Sequence, residues 1–523
     1  MHALRPLQLL LACVSAGLLT TTKSSTTVGA APLNFLIFLA DDLGYGDLSV
    51  YGHPTSLTPH IDSLAHDGMR FTQFYSASPV CSPSRAAVVT GRLPARNGVY
   101  CANGTDACSD PKETGCCNGV FLPGMPGGLP TSEITFATAL KRLGWPGVSG
   151  MVGKWHLGTD AAYMPTTGHG FDFYHGVPHG LGACPCTTAC FFPHEACAIA
   201  CQPEWAPCPL FENDTIIQQP APSFFDLSTS YVAAAEQFMT AAARDRIPFL
   251  LYYCSHHVHS PQFANEVDTN STLRGGFGDS LAELDRSVGS LLKVLDDLNA
   301  TNSTFVLFSS DNGPSLRNRN LGGNAGPLKC GKGTTYEGGQ RVPAIVRWPG
   351  RVRPGSVQRN VASLLDVFPT ILRHATNATI VAHAATSSID LPRTAALERH
   401  DGVDLLGQSE VAPTKPSTST TTVVLDGFDM TGLLTESGGG VGPRGGQFVY
   451  YPQIARRDRG LYAARAGRAK VHWHTQGSIQ SGTTNRWVSC DVCWSEQCHN
   501  NIWVGGDVVC ILHPPTWFIL TLR

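Results

Sequence analysis

Asn34-Phe35-Leu36-Ile37-Phe38-Leu39-Ala40-Asp41-Asp42-Leu43-Gly44-Tyr45-Gly46-Asp47 passes from an unbroken apolar run into a polar, glycine-bearing turn. A run of this kind, Phe35–Ala40, suits a strand buried on both faces, as in a parallel sheet covered by helices. Pro248–Cys254 is a second such run and ends at His256-His257-Val258-His259; Thr304–Ser309 is a third and ends at Asp311-Asn312-Gly313. Between these two, Leu281, Leu284, Val288, Leu291, Leu292, Leu295 and Leu298 recur at helical spacing, a face able to cover the sheet. Strands alternating with amphipathic helices predict an α/β fold. Each of the three strands delivers a polar cluster at its carboxyl end, where open α/β sheets place their ligands.

Taken alone, Asp41-Asp42 is most simply a solvated turn, and Asp311-Asn312-Gly313 another. Together at strand ends they read better as oxygen ligands, because paired carboxylates are costly to bury without a cation. Two carboxylate sites and an amide carbonyl suit calcium or magnesium rather than zinc. The histidines up to His259 could bind a transition metal, but no cysteine or carboxylate stands at a familiar zinc spacing.

Outward from that strand lies Val80-Cys81-Ser82-Pro83-Ser84-Arg85-Ala86-Ala87-Val88-Val89-Thr90-Gly91-Arg92. Ser82 as N-cap and Pro83 at the first helical position predict a helix starting just after Cys81. Free N–H groups at such a start would lower the Cys81 thiol pKa, and Arg85, one turn in, would add positive charge. Gly153-Lys154-Trp155-His156-Leu157-Gly158 sets Lys154 and His156 on one face if extended. Lys332 lies in Cys330-Gly331-Lys332-Gly333-Thr334, where the glycines permit close approach to a ligand.

The spacing Cys-x-Pro-Ser-Arg-x-x-x-x-Thr-Gly-Arg resembles the signature of the sulfatase family, whose cysteine is oxidised to the aldehyde formylglycine. The Asp41–Asp47 turn, Gly153–Gly158, His259-Ser260-Pro261, Asp311–Gly313 and Cys330–Gly339 follow in the family's order, over about Asn34 to Ser478, and are most similar to its arylsulfatase members. The resemblance implies an alkaline-phosphatase-like sandwich with a large central, mostly parallel sheet and a smaller C-terminal antiparallel domain. It implies calcium held by Asp41, Asp42, Asp311, Asn312 and the modified Cys81. By the same resemblance Arg85 ties down the formylglycine region, Lys154 and Lys332 grip sulfate oxygens, His259 protonates the leaving alcohol, and His156 takes a proton from the aldehyde hydrate. The implied partners are a small aryl or sulfated glycolipid substrate and, during maturation, the formylglycine-generating enzyme; a homo-oligomer is left open. A phosphatase or phosphonate hydrolase of the same superfamily is the competing enzyme reading, and an inactive, disulfide-rich binding protein the competing non-enzyme one.

Class and compartment follow from the rest of the chain. A length of 523 residues suggests one large and one smaller domain, and a net charge of −3 gives no reason to expect nucleic acid. Leu7–Leu19, behind His2 and Arg5, reads as the core of a signal peptide spanning 1–28 rather than as an anchor, and no later segment reads as transmembrane. Of 18 cysteines, those other than Cys13 and Cys81 cluster in loops as disulfides would in a lysosomal or extracellular protein. The sequons at Asn103, Asn213, Asn270, Asn299, Asn302 and Asn377 agree with export. A catalytic domain is expected over 29–380, a low-complexity Ala-, Ser-, Thr- and Pro-rich insertion over 381–423, and the smaller domain over 424–523, with short strands at Phe448–Tyr451, Gly460–Ala464 and Ala469–Thr475.

Two departures from the family pattern stand out. Gly180 occupies a position where arylsulfatases carry a serine, so a sulfate contact is expected to be missing or replaced by His179. The tail Thr516–Arg523 does not match the family's terminal strand and helix, so the small sheet is expected to lack its last strand, unless the tail itself supplies it.

Overall fold

The computed structural model describes residues 33–99, 120–121, 126–181, 208–219, 224–316, 322–382, 386–392, 420–435, 442–450, 463–467 and 469–472, and the strand backbone of 508–513 and 516–522. The signal segment, the cysteines at 101, 108, 116, 117, 184, 186, 190, 197, 201, 490, 493 and 498, the side chain of Cys510, and the sequon at Asn103 lie outside the described residues.

Eleven strands form the main sheet: Asn34–Ala40 (β1), Met69–Tyr75 (β2), Val148–Gly153 (β3), Phe173–Gly176 (β4), Leu210–Glu212 (β5), Thr215–Gln218 (β6), Phe249–Cys254 (β7), Thr304–Ser310 (β8), Arg341–Arg347 (β9), Ser356–Gln358 (β10) and Ala362–Ser363 (β11). Their order is β10-β2-β9-β8-β1-β7-β3-β4-β5-β6, with β11 beside β2. The central run β8-β1-β7-β3-β4 is parallel. β1 is buried along its whole length, and its alternating side chains explain why the run is continuous. Phe35, Ile37 and Leu39 enter one core; Leu36, Phe38 and Ala40 enter the other. The second core takes Leu281, Leu284, Val288, Leu291, Leu292 and Leu295 from the helix Gly275–Asp297, as its spacing predicts. The first takes Val367, Phe368, Ile371 and Leu372 from the helix Val367–Thr376. Helices thus cover both faces of the sheet.

Two smaller antiparallel sheets follow. Val381–Ala382 (β12), Ser387–Pro392 (β13) and Thr420–Leu425 (β14) make the first. The ends of the 381–423 stretch are therefore ordered strands: Ile389, Leu391, Val423 and Leu425 alternate into the main core, a period of two hidden among serines and threonines. The second sheet comprises Gln447–Tyr450 (β15), Ala463–Ala466 (β16), Ala469–His472 (β17), Val508–His513 (β18) and Thr516–Leu522 (β19), in the order β15-β16-β17-β19-β18. Of the two outcomes expected for the tail, the second is the one seen: β19 is a strand beside β17, pairing Lys470 with Thr521 and Val471 with Leu520. No helix among the described residues is long and apolar enough to cross a membrane.

Candidate active site

Four neighbouring parallel strands, β8, β1, β7 and β3, end on one edge of the sheet and hand over Asp311, Asp41, the 255–259 loop and Lys154. Backbone bonds knit these ends together. The Asp41 N–H donates to the His257 carbonyl at 2.7 Å, Val258 N–H to the Asp41 carbonyl at 2.8 Å, Asp311 N–H to Ala40 at 3.0 Å and Lys154 N–H to Cys254 at 2.8 Å. Gly153, ahead of Lys154, sits at φ 97°, and a Cβ there would lie 2.0 Å from the Cys254 carbonyl oxygen, so only glycine allows this approach. Asp42 (φ 62°) and His156 (φ 61°) hold the left-handed conformation without being glycine. Each is locked by a bond from its own N–H: Asp42 to Asp311 Oδ1 at 3.2 Å, His156 to the Pro178 carbonyl at 2.6 Å. Backbone strain of this sort persists where surrounding structure imposes it, and it recurs at active sites.

Cys81 is the first residue of the helix Cys81–Thr90, capped by Val80, so the helix begins earlier than Ser82 and Pro83 predict. The Ser82 hydroxyl is instead engaged by the Phe121 N–H at 3.1 Å. Cys81 Sγ lies 3.4 Å from Asp41 Oδ1 and 3.3 Å from Lys332 Nζ. The expected lowering of its thiol pKa is reversed. Burial, then the Asp41 carboxylate, push it up to about 12 against Lys154 and Lys332. Local helix geometry favours the thiolate, but the surroundings of a fully buried sulfur decide.

Three cations face three carboxylates around this residue. Arg85 grips Asp311 through Nε at 3.0 Å and Nη2 at 2.9 Å, reaches Asp41 at 3.6 Å, and donates from Nη1 to the Lys154 carbonyl at 2.8 Å. Lys154 Nζ bonds Asp41, and Lys332 Nζ meets Asp42 Oδ1 at 2.5 Å. Burial works against ionising Asp41, yet Lys154, His259, Arg85 and Lys332 hold it well below the usual carboxylate range. Burial and the neighbouring Asp41 push Asp311 up to about 7 despite Arg85. Asn312 donates from Nδ2 to Asp42 Oδ1 at 2.7 Å, leaving its buried carbonyl oxygen without a hydrogen-bond partner. An orphaned amide oxygen beside crowded carboxylates fits a hard divalent cation. One ligand atom each from Asp41, Asp42, Cys81 and His259 falls within 4.8 Å of the others, so the space is of ion-binding size. His259 Nε2 stands 3.7 Å from Asp42 Oδ2, with its side chain 27% exposed, placing it at the entrance rather than behind the carboxylates.

The other two histidines of this loop turn away. His256 Nε2 bonds the His179 carbonyl at 2.9 Å, and His257 lies between Glu283 Oε2 at 2.9 Å and Ser255 Oγ at 2.8 Å. They do not form a shared metal site with His259. The His257–Glu283 pair, unforeseen in the sequence, braces the peptide unit that carries Asp41. Asp47, which closes the opening turn, is a second such brace: its carboxylate takes Gly44 N–H, Asn324 N–H and the Arg274 guanidinium. Cys254 is a buried free thiol at the end of β7, which removes it from the expected disulfides, while Cys208 and Cys330 are disulfide-bonded.

His156 sits on the Lys154 side of the site. Burial, then Lys154 and Arg85, hold its pKa well below that of an ordinary histidine. A Cβ built on Gly180 would meet Lys154 Nζ at 3.8 Å and His156 Cε1 at 4.0 Å, both ordinary contacts. His179 is buried, and its pKa is pushed down to about 4. Gly180→Ser should therefore fold like the parent, with a melting temperature within about 2 °C. Its kcat/KM should equal or exceed the parental value, and a tenfold fall would show that substrate occupies this space.

The sulfatase family model matches residues 33–378. The chain is 40% identical over 458 residues to arylsulfatase A of Homo sapiens, covering 87% of this chain and 77% of that protein. With arylsulfatase A of Bos taurus the identity is 40% over 471 residues, covering 89% and 80%. N-acetylgalactosamine-6-sulfatase of Homo sapiens is 39% identical over 347 residues, covering 65% and 62%. Among solved structures, the PsFucS1 sulfatase from Pseudoalteromonas sp. superposes with a TM-score of 0.65 at 24% identity, covering 85% of this chain and 78% of that one.

Proposed function

The chain belongs to the sulfatase family and is a sulfuric ester hydrolase, and from that premise we propose that it cleaves aryl or glycolipid sulfate esters with a formylglycine made from Cys81 and one calcium ion. The observation that carries this is the setting of Cys81: fully buried, between Asp41 and Lys332, and a poor nucleophile as a thiol. Oxidation of Cys81 to the aldehyde falls to the formylglycine-generating enzyme during maturation. Asp41, Asp42, Asp311 and Asn312 would hold the calcium. When bound, it supplies positive charge that polarises an oxygen of the nucleophile.

The chain's own groups account for the remaining steps. Lys154 and Lys332 bind the sulfate oxygens and offset charge growing on them, a contribution of a few kcal/mol each in such sites. One hydroxyl of the aldehyde hydrate attacks sulfur, its proton passing to Asp311, the carboxylate of the set whose basicity its surroundings raise. The sulfur–oxygen bond to the alcohol breaks, and His259 donates the proton that the alcohol needs. His156 then accepts the proton of the second hydroxyl. The carbon–oxygen bond breaks, sulfate leaves, and the aldehyde returns for hydration. Placement in the lysosome or outside the cell is supported by the exposed sequon asparagines Asn270, Asn299, Asn302 and Asn377.

Acid operation follows. Burial, then Lys332, lower the His259 pKa from its ordinary value near 6.5, outweighing Asp42 and Asp41. The imidazolium that protonates the leaving alcohol is therefore lost as pH rises through a value below 6.5. On a poor leaving group such as a sugar alcohol, kcat should fall about tenfold per pH unit above that point. A rate climbing steadily from about pH 5 to 8 would remove His259 from the acid role.

A further inference from the structure

The loop that carries Lys332 is pinned on its inner side by backbone bonds: Lys332 N–H to Pro314 at 2.9 Å, Gly333 N–H to Pro79 at 2.9 Å, and Gly313 N–H to Gly339 at 2.9 Å. Its outer side meets the small C-terminal sheet. Lys470 of β17 is 5% exposed, an unusual setting for a lysine. Its Nζ donates to the Thr335 carbonyl at 2.6 Å and to Glu337 Oε1 at 3.1 Å, and lies 3.4 Å from the Tyr450 ring centroid. Glu337 also accepts from Tyr450 OH of β15 at 3.1 Å and Tyr75 OH of β2 at 2.9 Å. One ammonium therefore joins the small sheet to the loop three residues from Lys332.

A buried ion pair is a poor way to obtain stability, since an apolar pair of similar volume usually serves as well or better. What it fixes is position. We infer that Lys470 is a positioning residue: through Thr335 and Glu337 it sets the reach of Lys332 toward Cys81 and Asp42, so the small sheet tunes sulfate binding without touching substrate. The inference rests on the reading of Lys332 as a sulfate ligand.

A double-mutant cycle on the mature, full-length protein separates this role from simple stapling. With a fluorogenic aryl sulfate, Lys332→Ala should lower kcat/KM by about a hundredfold or more. Lys470→Met should lower it about tenfold, mainly through KM, and weaken inhibition by inorganic sulfate by a similar factor. In the Lys332→Ala background, adding Lys470→Met should change kcat/KM by less than about twofold. Tyr450→Phe removes one bond to Glu337 and keeps the ring. It should give a smaller loss with the same dependence on Lys332, and it replaces Lys470→Met in the cycle if that variant is not secreted. Equal losses in the two backgrounds would overturn the positioning role while leaving Lys332 as a ligand. Parental activity in Lys332→Ala would overturn the reading of the site, and the positioning role with it.

Discussion

Cys81→Ser is expected to fold, bind calcium and react once, then stop. Serine is close to cysteine in size, and no contact around Cys81 requires sulfur. A serine hydroxyl can attack the sulfate ester, but it has no second hydroxyl on the same carbon from which a proton can be removed to expel sulfate. The product is a stable serine sulfate ester. Turnover should fall by at least about a thousandfold, while a burst approaching one alcohol per enzyme remains and the modified residue is found at position 81. Sustained turnover by this variant, at more than about a tenth of the parental rate, would show that the hydrate is unnecessary.

Asp311→Asn should be the most damaging change in the cation site. Asp311 is paired with Arg85 at 2.9 Å and stands beside the Asp41 carboxylate. The amide keeps an oxygen and the shape but removes one negative charge, leaving the fully buried Arg85 with its long 3.6 Å contact to Asp41. Removing one partner of a buried ion pair costs about 3–5 kcal/mol. Calcium affinity and kcat should both drop by about a hundredfold or more. Added calcium should restore part of the activity at concentrations that leave the parent unchanged. Unaltered calcium stoichiometry and affinity would place Asp311 outside the site.

The central sheet and its working edge were legible because both are written in short, local patterns. Phe35–Ala40 reads as a strand buried on two faces, and it sends alternate residues into two cores. The motif at Cys81 and the strand-end clusters at Asp41, Lys154 and Asp311 meet at one edge because their strands are adjacent and parallel. What the sequence hid depends on distant partners. The helix start was misread at Ser82 because its hydroxyl is occupied by Phe121, and the Cys81 thiol because burial and Asp41 outweigh the helix end. His256, His257 and His259 are nearly consecutive, yet the turn sends one toward His179, one toward Glu283 and one to the site entrance. Lys470 carries no signal in the sequence beyond its place in the expected strand Ala469–Thr475. Only the docking of Tyr450 and Glu337 around it, over 100 residues apart in the chain, reveals a buried ion pair. Thr516–Leu522 could be placed only by its pairing with β17 across some fifty residues.

The most direct test of the account is mass spectrometry of the peptide containing Cys81, from protein secreted by cells and shown to turn over an aryl sulfate. The account predicts a peptide in which the thiol has been replaced by an aldehyde, captured quantitatively by a hydrazide reagent, in proportion to specific activity across preparations. An unmodified thiol at Cys81 in a fully active preparation would contradict it.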